Sequence, residues 1–177
     1  MANSYGTTIV AQWNYLFSAL PANMNFSPGG PGTGTNAGGL LQSVATIGKS
    51  EWPEFNALPF VGVAPKTWNV DQMAAGQRKL TVVHQIVAVV DVVAAGSNVI
   101  QLADAYAKVM DIIDDGAGNG ILPILNAPDN FGLGGTCSVI IPKQGRLDWA
   151  NKPGGKGTDY VAYASIMLTT QNFNAPM

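Results

Sequence analysis

Leu80-Thr-Val-Val-His-Gln-Ile-Val-Ala-Val-Val-Asp-Val-Val93 decides the fold. As a strand it places Leu80, Val82, His84, Ile86, Ala88, Val90 and Val92 on one face, and Thr81, Val83, Gln85, Val87, Val89 and Asp91 on the other. Both faces are largely apolar in the middle. At about 3.3 Å per residue the run extends roughly 45 Å, more than a small domain needs, so part of it is expected to project as an arm or to pair across a subunit boundary.

Downstream, Ser97 is suited to cap a helix whose apolar stripe is Val99, Leu102, Tyr106, Val109 and Ile113. Gln101, Asp104, Lys108, Asp111 and Asp115 occupy its polar face, and Gly116 with Gly118 ends it. Upstream, Pro59 and Pro65 flank the short apolar run Phe60 to Ala64, which therefore reads as an edge strand. The chain opens with a helix over Ser4 to Leu20, with Ile9, Trp13, Leu16, Phe17 and Leu20 on one face and Pro21 as its expected stop.

Between these elements the sequence is dense in turn formers. Asn23 to Asn36, rich in Gly, Pro, Asn and Thr, reads as an extended loop ordered by contact with something else. Gly38 to Asn56 brings back Leu40, Leu41, Val44 and Ile47, and admits a short helix or irregular packing. After a Gly/Pro/Asn segment from Gly116 to Gly135, Thr136 to Ile141 reads as a strand stopped by Pro142, followed by a loop from Lys143 to Thr158. Asp159 to Gln171 alternates as the last strand, with Tyr160, Ala162, Ala164, Ile166 and Leu168 on one side and Val161, Tyr163, Ser165, Met167 and Thr169 on the other. The expected class is α+β: a single domain over 1–177, with two main helices on a mainly antiparallel sheet of about four strands, plus long Gly/Pro-rich loops at 22–57 and 143–158.

Composition narrows the function classes. The 177 residues suffice for one core and are too few for two ordinary domains. Charged residues make up 11% of the chain, against about 25% in a typical protein, so its polar surface comes from amides, hydroxyls and backbone. Such a surface suits packing against neighbours. A formal charge of -2 lacks the basic field of a nucleic-acid binder. No secretory signal or membrane-length apolar run is found, because Asp91 and Gly96 interrupt the best candidate, so a soluble protein made in the cytoplasm is expected.

Catalytic groups are sparse. Cys137 is the single cysteine and reads as a small residue in a buried strand. His84 is the single histidine, so a site needing two imidazoles has no second ligand within the chain. Asp111, Asp114 and Asp115 cluster, with Asp111 and Asp115 on the solvated helix face. Ser43-Val-Ala-Thr-Ile-Gly-Lys-Ser50 approaches a phosphate-binding loop but lacks its first glycine and a clear preceding strand. Gly32-Thr-Gly34 lies in loop composition without the strand and helix of a dinucleotide site. No enzyme activity, cofactor or metal is therefore expected. Large aromatics in loop-like sequence, Phe26, Trp52, Phe55, Trp68 and Trp149, join Tyr160 and Tyr163 of the last strand as candidate interface anchors, with core packing as the competing reading.

Several phrases resemble the tail terminator proteins of long-tailed bacteriophages: Gln101-Leu-Ala-Asp-Ala-Tyr-Ala-Lys-Val-Met-Asp-Ile-Ile-Asp-Asp115, the loop ending Leu133-Gly-Gly135, the strand Cys137 to Ile141, and Tyr160-Val-Ala-Tyr-Ala-Ser-Ile-Met-Leu168. The N-terminal helix and Leu58-Pro-Phe-Val-Gly-Val63 fit that element order. The resemblance implies a virion protein that forms a hexameric ring on the head-proximal end of the tail tube, stops its growth and docks the neck or connector proteins. Its partners would be further copies of the chain, the tail tube protein and the neck. The long strand's edge and the Tyr160 to Leu168 strand are expected to form the ring, while Phe26 to Gly39 and Gly145 to Gly157 reach toward tube or neck. Another virion component, such as a neck stopper, head-tail connector or tube subunit, shares the composition. A nucleotide- or ligand-binding domain around Gly48-Lys49-Ser50 is the remaining class.

Overall fold

The computed structural model describes residues 4–24, 46–48, 58–73, 76–92, 99–118, 120–130, 132–152 and 159–173. Helix α1 is Tyr5–Met24, and strand β1 is the short Thr46–Gly48. Strands β2 (Phe60–Gln72) and β3 (Arg78–Val92) form a long hairpin, followed by α2 (Val99–Ile113) and the short α3 (Ile121–Asn126). Strands β4 (Val139–Asn151) and β5 (Tyr160–Asn172) close the fold. The sheet order is β1-β2-β3-β5-β4, antiparallel throughout except for the β1–β2 pair. The α+β class and mainly antiparallel sheet expected from the sequence are present, with five strands and a third helix among the described residues.

The Leu80–Val93 run is the centre of this sheet. β3 pairs with β2 through Arg78 to Val89 and with β5 through Leu80 to Val92, so Leu80 to Val89 is flanked by a strand on each side. No arm projects. The length is absorbed because β2 and β5, at 13 residues each, are nearly as long as β3. The even-numbered face carries Leu80, Val82, His84, Ile86, Ala88 and Val90, all buried, beneath the helices. α1 packs on β2 and β3, and α2 on β3 and β5. The opposite face carries a smaller cluster, Phe60, Val87, Val89 and Val161, flanked by Leu58, Ala150 and Tyr163.

Ser4 caps α1, its hydroxyl accepting the Thr7 amide hydrogen at 3.2 Å. Leu16 is fully buried, with Trp13 and Phe17 partly so, as their spacing predicts. Pro21 does not end the helix, which runs on to Met24. Lacking an amide hydrogen, Pro21 forgoes one helical bond in the last turns without preventing the next residues from staying helical. α2 buries Ala105, Val109, Ile112 and Ile113, with Leu102 and Tyr106 at the margin, and Gly116 and Gly118 follow it at φ of 73° and 92°.

Four readings of proline and glycine are corrected. Pro65 lies inside β2, which continues to Gln72, and Pro142 lies inside β4, which continues to Asn151. Both strands are outermost where these prolines sit, so a missing amide costs no interior ladder bond. Of the expected loop at 143–158, Lys143 to Asn151 is therefore strand, and 153–158 lie outside the described residues. A register shift follows each proline, between Pro65 and Thr67 and between Lys143 and Arg146. In the second bulge Gly145 runs so close over the Ser165 carbonyl that any side chain there would collide. Ile121 to Asn126, read as part of a Gly/Pro/Asn loop, is helical and buries Ile121, Ile124 and Leu125. Pro123 is tolerated there because first-turn amides have no helical partner. Finally, Thr46–Gly48 is neither helix nor irregular but a strand. The 25–45 and 49–57 segments, including most of the expected 22–57 loop, lie outside the described residues.

Candidate assembly interface

The two margins of the sheet differ. On one side β1 covers only Phe60 to Gly62 of β2, and the Trp13 indole donates to the Val63 carbonyl at 2.7 Å. From Ala64 to Gln72 no strand among the described residues pairs with the outer edge of β2. On the other side β4 is the last strand, open along Val139 to Asn151 among the described residues.

Each margin exposes large apolar side chains. Trp68 on β2 is 61% exposed, and Trp149 and Leu147 on β4 are 49% and 45% exposed. Trp68 stands opposite Val82, Leu147 opposite Ala164 and Trp149 opposite Ala162, so all three lie on the helix-bearing face, beyond the reach of the helices. Trp149 meets Tyr160 edge to face, with centroids 5.2 Å apart and planes at 76°. Tyr163 lies on the other face, half-buried, beside Asp148. The structure thus brings Trp149 and Tyr160 together at one margin and places Trp68 at the other; Phe26, Trp52 and Phe55 lie outside the described residues. Trp68 and Trp149 stand in strands, not in the loops their local sequence suggested.

The expected use of the β3 and Tyr160–Leu168 edges for ring formation is corrected. β5 is interior, and β3 is interior over Leu80 to Val89, where a strand already pairs with it on each side. Leu147 is absent from the sequence-based anchors because Pro142 reads there as a strand stop, whereas the strand runs on to Asn151. The alternation Arg146-Leu147-Asp148-Trp149 is the period-two signal that marks the missed strand.

Polar groups at the margins are local. Lys79 pairs with Asp71 at 3.0 Å across β2 and β3, and Arg146 pairs with Asp148 along β4. Asp71 is held below the usual carboxylate range chiefly by the Lys79 bond, and Asp148 chiefly by the Trp149 backbone amide, with Arg146 adding to it.

Beneath α1 lies a buried polar cluster. Gln12 donates its amide to the Thr136 carbonyl at 3.1 Å, so its carbonyl oxygen accepts from His84 Nε2 at 3.1 Å and from the Thr170 hydroxyl at 2.9 Å. His84 is fully buried, its Nδ1 has no partner among the described residues, and burial pushes its pKa down to about 4. This is a buried histidine at a helix–sheet contact, held there through Nε2 alone. The hydrogen bond of His84 among the described residues goes to the Gln12 amide, and no group of three metal-ligating side chains occurs among them.

The remaining motifs resolve similarly. Thr46-Ile47-Gly48 of the phosphate-loop-like segment is paired as strand opposite Phe60 to Gly62, whereas a phosphate cradle needs loop backbone at those positions. Asp114 and Asp115 accept the amide hydrogens of Gly116 and Ala117 at 2.9 and 2.8 Å, fastening the turn after α2. The Cys137 thiol is buried and pushed up to about 11. No helix among the described residues is long and apolar enough to cross a membrane. No protein-family model and no curated protein matches the chain.

Proposed function

We propose that the chain is a tail terminator subunit, a virion protein whose copies close into a hexameric ring on the head-proximal end of the tail tube and join it to the neck. One observation carries the reading beyond its sequence resemblance: among the described residues the sheet has two different unpaired margins on opposite sides, each with an exposed tryptophan. Ring closure by identical subunits needs two unlike surfaces per subunit, and a dimer related by a two-fold axis needs only one. The low charge favours close packing of copies. In this reading the chain has no catalytic role.

Negative-stain microscopy of the protein mixed with tail tubes of the phage that encodes it tests the assignment. Rings seated on one tube end, with tubes of fixed length, are expected. Cylinders growing from the protein alone would make it a tube subunit. Failure to bind either tube end would overturn both.

A further inference from the structure

Resting on the ring reading, we infer that neighbouring copies join by antiparallel pairing of Thr67–Gln72 of one subunit with Gly145–Ala150 of the next. Strand direction permits it. β2 is antiparallel to β3, β3 to β5 and β5 to β4, so β2 and β4 run in opposite senses, and a second copy added edge to edge continues the antiparallel pattern. The usable segments are set by the breaks: β1 and Trp13 occupy β2 before Ala64, and a bulge follows the proline in each strand. Thr67–Gln72 and Gly145–Ala150 lie on opposite sides of the row that holds Pro65 and Pro142, so pairing them shifts each copy along the strand direction relative to the last, as the shear of a closed sheet does.

One register matches in face, polarity and charge. With Trp68 opposite Trp149, Val70 stands opposite Leu147 on the helix-bearing face. On the other face Asn69 then meets Asp148, and Asp71, paired with Lys79 in its own subunit, meets Arg146, paired with Asp148 in its own, a carboxylate against a guanidinium. The apolar side chains exposed in one subunit cover one another, and the outward charges are opposite. Chance pairing with an unrelated protein would not supply both, which commits the occupant to a second copy of this chain.

Mixing Asn69→Cys and Asp148→Cys single variants with a short bismaleimide tests the register. Cys137 stays silent because it is buried. Covalent dimers are expected from the mixture and not from either variant alone, and a ladder ending at the ring from the double variant. Charge reversal is the second measurement: Asp71→Arg and Arg146→Asp should each weaken assembly at least tenfold, and the two combined in one chain should restore it. Self-linking of Asp148→Cys would overturn the register in favour of a β4–β4 dimer. Rings of normal mass that neither cross-link nor respond to charge reversal would overturn the register and leave the ring reading standing. Monomers under all conditions, with tubes present, would remove both.

Discussion

Pro65 and Pro142 stand in one row of the sheet, at its opposite margins, with His84 and Leu168 between them. Each margin is therefore broken at the same height, and each break is followed by a bulge. Proline and bulges are the devices by which exposed edges avoid unspecific pairing. Pro65→Val with Pro142→Val should leave the fold intact but raise light scattering at fixed concentration through edge-to-edge aggregation. Unchanged solubility would deny the prolines that role.

His84 gives the protein an acid-sensitive stability. Its pKa of about 4 in the fold lies below the ordinary 6.5, so the unfolded chain binds the proton more tightly, and stability is full above 6.5 and falls as the pH drops toward 4. Between pH 7 and pH 5 the loss should be about 2 kcal/mol. Urea denaturation at a series of pH values measures it. His84→Gln should flatten the curve over that interval, and an unchanged slope in the variant would assign it to other groups.

Gln12 is the hub that makes the buried histidine tolerable, since it joins α1, β3, β5 and the segment before β4. Gln12→Leu should cost about 2–3 kcal/mol, because it strands a buried imidazole donor. The double variant Gln12→Leu, His84→Leu should lose less than the sum of the single changes. Strict additivity in denaturant titrations would show that the two side chains do not cooperate.

Gly134 adopts φ +65°, and a Cβ there would sit 2.9 Å from Tyr15 Cδ2. The Tyr15 ring cannot easily yield, since its hydroxyl donates toward the Asp129 carbonyl and Asn130 Oδ1, at 3.0 and 3.1 Å. Gly134→Ala should cost about 1–3 kcal/mol and lower the melting temperature. Gly135→Ala, with open space around the added carbon, should cost only the backbone strain. Equal losses at the two positions would contradict the contact with Tyr15.

Much of this fold is legible in the sequence, and the misses share one physical cause. The Leu80–Val93 run is apolar on both faces because it is the central strand, and the spacing of Val109 and Ile113 locates the buried face of α2. Prolines mislead because their effect depends on whether an amide hydrogen is needed, which tertiary position decides. At Pro65 and Pro142 the strands are outermost, and at Pro123 the helix has only begun. Edge status is equally invisible locally: Tyr160–Leu168 looks like a pairing strand and is one, but within its own subunit. Gln12 carries no signal until His84 and Thr170 are known to face it.

The most direct test is the solution mass of the wild-type protein beside Trp68→Asp and Trp149→Asp variants, measured by native mass spectrometry with tail tubes absent and then added. Six times the 18.4 kDa subunit mass is predicted for the wild type, alone or once tubes are present, with both variants remaining folded monomers. Wild-type protein that stays monomeric in both conditions, or variants that still form the six-subunit species, would contradict assembly through the two sheet margins.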